Sequence, residues 1–171
     1  MYADGVAAAN ILIALGSNRR HGRHGSPAGV VAAAIAALDA AGLRVVRRSR
    51  VHATAAVGPG GRRFANAVVA VATDLDAVTV LGVLKRIEHD FGRRGARRWG
   101  ARVLDLDLLA HGALMLRTRH LKLPHPRLHL RAFVLDPLIE VAPTWRHPVL
   151  AATARQLHAR LHRPKAASPS P

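Results

Sequence analysis

Two aspartates, Asp105 and Asp107, stand two positions apart in "VLDLDLLAHG" (103–112), directly behind "RRGARRWGAR" (93–102), where arginines crowd around Trp99. In a strand, residues two apart face the same side. Asp105 and Asp107 then share one face, while Leu104, Leu106 and Leu108 pack the other. Two carboxylates held so close repel each other unless a cation sits between them. A hard divalent ion bridging carboxylates and phosphate oxygens, as Mg²⁺ commonly does, answers that need. So does a solvated sheet face neutralised by nearby arginines, and the pair alone does not choose between them.

The elements that must position this pair can be read in order. "NILIALGSN" is a short apolar strand ending in turn residues. "RRHGRHGSPAG" is a loop in which Ser26 and Pro27 supply the cap and first turn of the helix "AGVVAAAIAALDAAG", closed by Gly42. "LRVVRRSRVHATAA" and "FANAVVAVAT" read as two strands around the glycine-rich breaker "VGPGGRR". Leu81, Leu84, Ile87 and Phe91 recur at helical spacing in "DLDAVTVLGVLKRIEHDFG", behind aspartate caps and ahead of Gly92. With "VLDLDLLAHG" as the next strand the order is βαββαβ, which predicts an α+β, ferredoxin-like sandwich. The C-terminal extension "LKLPHPRLHLRAFVLDPLIEVAP" reads as a loop and a short helix stopped by Pro143. A single domain is expected over 10–160, with disordered ends at 1–8 and 163–171.

Half of the 171 residues are apolar, enough for a sizeable core. The chain has no cysteine, which excludes disulfides, thiolate metal sites and a cysteine nucleophile. Its start lacks the basic segment of a signal peptide, and no run approaches the roughly 20 apolar residues of a membrane helix. A soluble, cytoplasmic protein is expected. The formal net charge of +16 points to an anionic partner, whether nucleic acid, membrane surface or phosphate-rich small molecule. Arginine used as a general solubilising residue explains the charge equally well.

The string Arg98-Trp99-Gly100-Ala101-Arg102-Val103-Leu104-Asp105-Leu106-Asp107 resembles the signature of the 6-hydroxymethyl-7,8-dihydropterin pyrophosphokinases of folate biosynthesis. "IALGSN" (13–18) is similar to that family's first strand and turn, and Gly58-Pro59 with "FANA" (64–67) to its pterin loop and third strand. "RIEHDFGR" (86–93) and "LPHPRLHLRAFVLDPLIEVAP" (123–143) complete matches that run in order over residues 10–148.

The resemblance implies an enzyme that moves the terminal diphosphate of ATP onto the pterin hydroxymethyl oxygen and releases AMP. It implies two Mg²⁺ ions on Asp105 and Asp107, and Arg93 and Arg102 as catalytic phosphate clamps. Glu88, Arg98, Trp99, Leu108, His125 and Arg131 fall among the ATP contacts, with Arg98 and Trp99 in a closing loop. Phe64 and Phe133 would stack on the pterin, and Thr54, Val57 and Asn66 would read its polar edge. A monomer acting on small molecules, without nucleic acid or membrane, is the corresponding expectation.

Several positions depart from the family pattern. Ala55-Ala56 stand where a proline pair is common, the loops at 58–66 and 93–98 are short, and His120 replaces a longer cation. These departures leave open a paralogue acting on a related pterin, or a binder without transfer. A ferredoxin-like RNA-binding module is the remaining alternative, but it calls for sheet-face aromatics that six aromatic residues in no RNP-like string do not supply.

Overall fold

The computed structural model describes residues 11–54, 63–92 and 103–163. Within them the chain forms β1 (Ile11–Ser17), α1 (Pro27–Ala40), β2 (Arg44–Arg48), β3 (His52–Thr54), β4 (Phe64–Ala72), α2 (Ala77–Asp90) and β5 (Asp105–His111). An extension adds β6 (Leu116–Arg117), β7 (Lys122–Leu123), a 3-10 turn (Leu128–Leu130), α3 (Ala132–Val141) and α4 (Ala154–Leu161). All sheet pairings are antiparallel. The main sheet runs β2–β4–β1–β5, with β3 following β2 along the same side of β4. That neighbour order on a βαββαβ chain is the ferredoxin-like α+β sandwich.

Alternation along the central strands sends side chains to two separate cores. Ile13, Leu15, Val69, Leu104 and Leu106 pack under α1 and α2, against Leu84. Leu12, Val68 and Leu109 pack under the extension, against Leu135, Leu138 and Leu157. The near-continuous apolar run of β4 is explained by this double cover, since its residues are buried on both faces beyond Phe64. Local signals agree with these placements. Ser26 accepts from the Gly29 N–H and Asp76 from Val78 and Thr79, satisfying orphan donors at the starts of α1 and α2. Gly42 and Gly92 close the same helices at φ +84° and +88°, where a side chain would be strained.

The structure departs from the sequence reading in four places. "LRVVRRSRVHATAA" is two strands, because Ser49 turns inward and its hydroxyl accepts from the Val68 N–H at 3.0 Å. β5 carries a bulge. Leu12 pairs with Ala110 and Ile13 with Leu108, so Leu109 is the extra residue, and it turns with Ala110 into the extension-side core. Leu81 is only partly buried, and Val80 and Val83 take the place beside Leu84 and Ile87 in the helical stripe. The extension holds a β6–β7 hairpin and a second helix, α4, opened by a reciprocal Thr153–Gln156 cap. Among the described residues no helix is long and apolar enough to cross a membrane. The ends 1–8 and 164–171 lie outside the described residues.

Leu135 is fully buried between α3 and the sheet. Leu135→Ala is expected to lower unfolding stability by about 2–5 kcal/mol, read as a lower urea midpoint.

Candidate active site

α3 and α4 cover only part of their sheet face. Toward the Ser17 end of β1 the register aligns His52, Asn66, Gly16 and Asp105 across four strands. One step along, Ala14 lies between Val68 and Asp107. Asp105 and Asp107 therefore share the face that carries Asn66, as period-two spacing predicts, and both are partly exposed. Gly16 forms the floor between Asn66 and Asp105. A Cβ there would stand 3.2 Å from Asn66 Oδ1, so a side chain would crowd the amide.

On the Asn66 side, its buried amide donates to Thr54 Oγ1 at 2.8 Å. Two proposed edge readers are thereby held as one unit. Phe64 is two residues before Asn66 on the same strand, and its ring is accessible. Phe133, in the first turn of α3, is also exposed, whereas Phe91 is in the core. The Arg131 guanidinium lies 5.5 Å from the Phe133 ring centre and 3.8 Å from Asp107 Oδ2. Arg131 thus links the aromatic and acidic parts of the face. That ion pair is long and partly solvated, and it holds Arg131 only loosely.

Along the outer edge of β5 runs an open cleft of about 280 Å³, with Leu106, Asp107, Leu108 and His125 in its lining. The His125 backbone N–H donates to Leu109 O at 2.8 Å, at the bulge. Its ring Nδ1 accepts from the Arg127 N–H at 3.2 Å, which assigns the proton of the neutral ring to Nε2. Burial pushes the imidazole below its ordinary value. Asp107 opposes this shift, and Arg131 and Arg127 reinforce it. A neutral His125 is a hydrogen-bond donor at pH 7 rather than a second cation. Lys85, Arg119 and Lys122 also line the cleft, beside His120. Sequence reasoning missed these three, although Lys85 follows the Leu84 stripe directly and Arg119 and Lys122 bracket His120.

Glu88, expected among the ATP contacts, is engaged within the protein. It is fully buried, and its Oε1 accepts from the Leu106 backbone N–H at 2.9 Å while Oε2 accepts from Lys85 Nζ at 2.9 Å. It braces the strand residue between the two aspartates. A second carboxylate, Glu140 on α3, braces β3 by accepting from the Arg50 N–H at 2.9 Å and pairing with His52 Nε2 at 2.8 Å. Burial pushes this carboxyl up, but hydrogen bonds from the Arg50 backbone and side chain and from His52 hold it below its ordinary value. Arg93, Arg98, Trp99, Arg102 and Val57 lie outside the described residues, as do Ala55-Ala56.

An antiparallel ferredoxin-like sheet thus carries an acidic pair, a basic cleft and two accessible phenylalanines on its open side. The family described as 7,8-dihydro-6-hydroxymethylpterin-pyrophosphokinase matches residues 12–143, and the chain belongs to it. A 2-amino-4-hydroxy-6-hydroxymethyldihydropteridine pyrophosphokinase from Synechocystis is 39% identical over 117 residues, covering 68% of this chain and 60% of that protein. The Methylorubrum extorquens protein of the same name is 41% identical over 133 residues, 77% of this chain and 81% of that one. The chain spans less than two thirds of the Synechocystis relative. A crystal structure of Plasmodium falciparum HPPK-DHPS with pteroate superposes with a TM-score of 0.68 over 88% of this chain and 42% of that one. At 14% identity this is a likeness of fold.

Glu88→Ala leaves the Leu106 N–H and Lys85 without this acceptor. It is expected to cost about 1–3 kcal/mol of stability, while Glu88→Gln, which keeps an acceptor oxygen, should cost less; urea unfolding compares them. For His125, a folded value below the unfolded one means that the unfolded chain binds the proton more readily. Its contribution to stability is therefore complete above the ordinary histidine range and lost as pH falls through it. NMR titration of the ring should give a midpoint below 6.5, and a midpoint above it would contradict the burial described.

Proposed function

We propose that this chain transfers the terminal diphosphate of ATP to the hydroxymethyl oxygen of 6-hydroxymethyl-7,8-dihydropterin, producing the pterin diphosphate and AMP for folate biosynthesis. The observation that carries this reading is the juxtaposition on one open sheet face of Asp105 and Asp107 with the Asn66–Thr54 pair, bordered by the basic cleft. The family membership supplies the reaction that such a face would serve.

The donor set fits Mg²⁺. Carboxylate oxygens are hard ligands, and a pair on one strand face leaves coordination positions for water and phosphate oxygens. Asp105 and Asp107 would hold the ions, two in our reading. When bound, they supply charge neutralisation for the triphosphate and polarisation of the attacked phosphorus.

The protein's own groups do the rest. Phe64 and Phe133 offer flat apolar surfaces for a pterin ring, and Thr54 and Asn66 hydrogen-bond along its edge. Asp107 takes the hydroxyl proton as the oxygen bonds to the β-phosphorus. The bond from that phosphorus to the α–β bridging oxygen breaks, and AMP leaves. Arg131 and neutral His125 donate to phosphate or ribose oxygens, with Lys85, Arg119 and Lys122 adding positive charge along the cleft. Arg93 and Arg102 are assigned, by resemblance, to clamp the phosphates in forked geometry. In our reading Leu108 lines the nucleotide side, and Arg98 and Trp99 close over it.

Nucleic acid is not part of the proposal. A sheet-type RNA binder stacks bases on aromatics across its open face, and here that face carries Asp105 and Asp107.

AMP release from ATP and Mg²⁺ should require the pterin, and Asp107→Ala should lower it by at least about a hundredfold, the scale of losing one transition-state charge partner. A folded wild-type chain that releases no AMP with this pterin would overturn the assignment.

A further inference from the structure

Away from the sheet face, three side chains converge where the two C-terminal helices meet. Asp136 lies on α3. His158 lies on α4, and His162 caps it. The His162 N–H donates to His158 O at 3.1 Å, so helical geometry continues through the cap and the two rings fall on one face. Their ring centres are 4.4 Å apart. Asp136 Oδ1 is 3.1 Å from His158 Nε2 and 3.0 Å from His162 Nε2, and all three ligand atoms lie within 4.8 Å of one another. Neither the acidic pair nor the basic cleft involves these residues.

We propose that Asp136, His158 and His162 form a zinc site that staples α4 to α3. A tetrahedral zinc ion with bonds of about 2.0–2.1 Å to imidazole nitrogen and carboxylate oxygen sets its ligands roughly 3.3 Å apart. The two oxygen–nitrogen separations are close to that edge length, and a small rotation of the rings opens the space for an ion. Two imidazoles and one carboxylate suit zinc rather than magnesium, which prefers all-oxygen donors.

The spacing does not depend on flexible chain. Leu135 and Leu138 on α3 and Ala154 and Leu157 on α4 are buried in one core, and the Thr153–Gln156 box fixes the start of α4. The site is also reachable. Side-chain exposures of 34% for Asp136, 28% for His158 and 47% for His162 leave an entry path, and water completes the fourth position. Without metal, one carboxylate oxygen must accept from both rings. With metal, the same atoms become three ligands of one ion.

The test is calorimetric titration of Zn²⁺ into the metal-stripped full chain, with millimolar Mg²⁺ present to occupy the acidic pair. One Zn²⁺ per chain should bind with micromolar affinity or tighter. His162→Gln and Asp136→Asn should each weaken it at least about tenfold, given that losing even an outer partner of a ligand costs that much. His89→Gln, at an exposed histidine elsewhere on the surface, should leave binding unchanged. Circular dichroism checks that each variant is folded, and Zn²⁺ should raise the melting temperature of wild type but not of Asp136→Asn. Absence of saturable binding would overturn the site and leave a plain hydrogen-bonded cluster. Equal binding by wild type, His162→Gln and Asp136→Asn would also overturn it, by assigning the metal to other histidines.

Discussion

A strand at the edge of a sheet leaves every second N–H without a neighbouring strand to receive it. In β5 one such donor belongs to Leu106, the residue between Asp105 and Asp107, and the buried Glu88 carboxylate accepts it. The interaction carries more than one hydrogen bond's consequence. It fixes the backbone twist at the point where two like charges must be held side by side, and it does so from α2, the helix that leads into the arginine-rich segment. A carboxylate on one face of the strand thus determines how two carboxylates are presented on the other. Lys85 shares Glu88 and also lines the cleft, so the brace and the basic border are joined through one side chain.

The second determinant is unequal cover. Both faces of β4 and β1 are apolar near their middles, and a two-layer sandwich would leave one of them wet. The extension supplies a partial third layer, and the part it leaves open becomes the site. Its boundary is chemically marked by Arg131 and Phe133, at the first turn of α3. Gly16 keeps the uncovered floor flat between the amide and acidic ends. The bulge at Leu109 moves two successive residues into the extension-side core and leaves a carbonyl to hold His125. Burial, strand irregularity and site geometry are one arrangement here.

Much of this was legible from residue order. Caps at Ser26 and Asp76, stops at Gly42 and Gly92, and the same-face spacing of Asp105 and Asp107 each rest on local backbone geometry, which short windows of sequence encode. The motif resemblance singled out Phe64 and Phe133, whose rings are exposed, and Asn66 and Thr54, which are hydrogen-bonded to each other. What escaped depends on distant partners. Nothing around Glu88 announces that one of its oxygens accepts from a strand eighteen residues later. Ser49 looks like a turn residue, and only the Val68 backbone reveals that it ends one strand and begins another. α4 sets Ala154, Leu157 and Leu161 against the core at helical spacing, a short stripe that was readable in the chain together with its Thr-x-x-Gln box. The His158–His162 spacing is visible in the chain, but its relation to Asp136 exists only once α3 and α4 have docked.

The interruption at Ser49 divides one edge of the sheet into two independently secured pieces. β2 is held by its ladder to β4 and by Arg47 reaching Val141 O. β3 is held at its other end, through Arg50, His52 and the Glu140 carboxylate. This separates support from placement. The longer piece carries the ladder to β4, while the three-residue piece beside Asn66 holds Thr54 on an anchorage of its own. A scaffold divided in this way can shift the rim beside Asn66 without disturbing the ladder behind it.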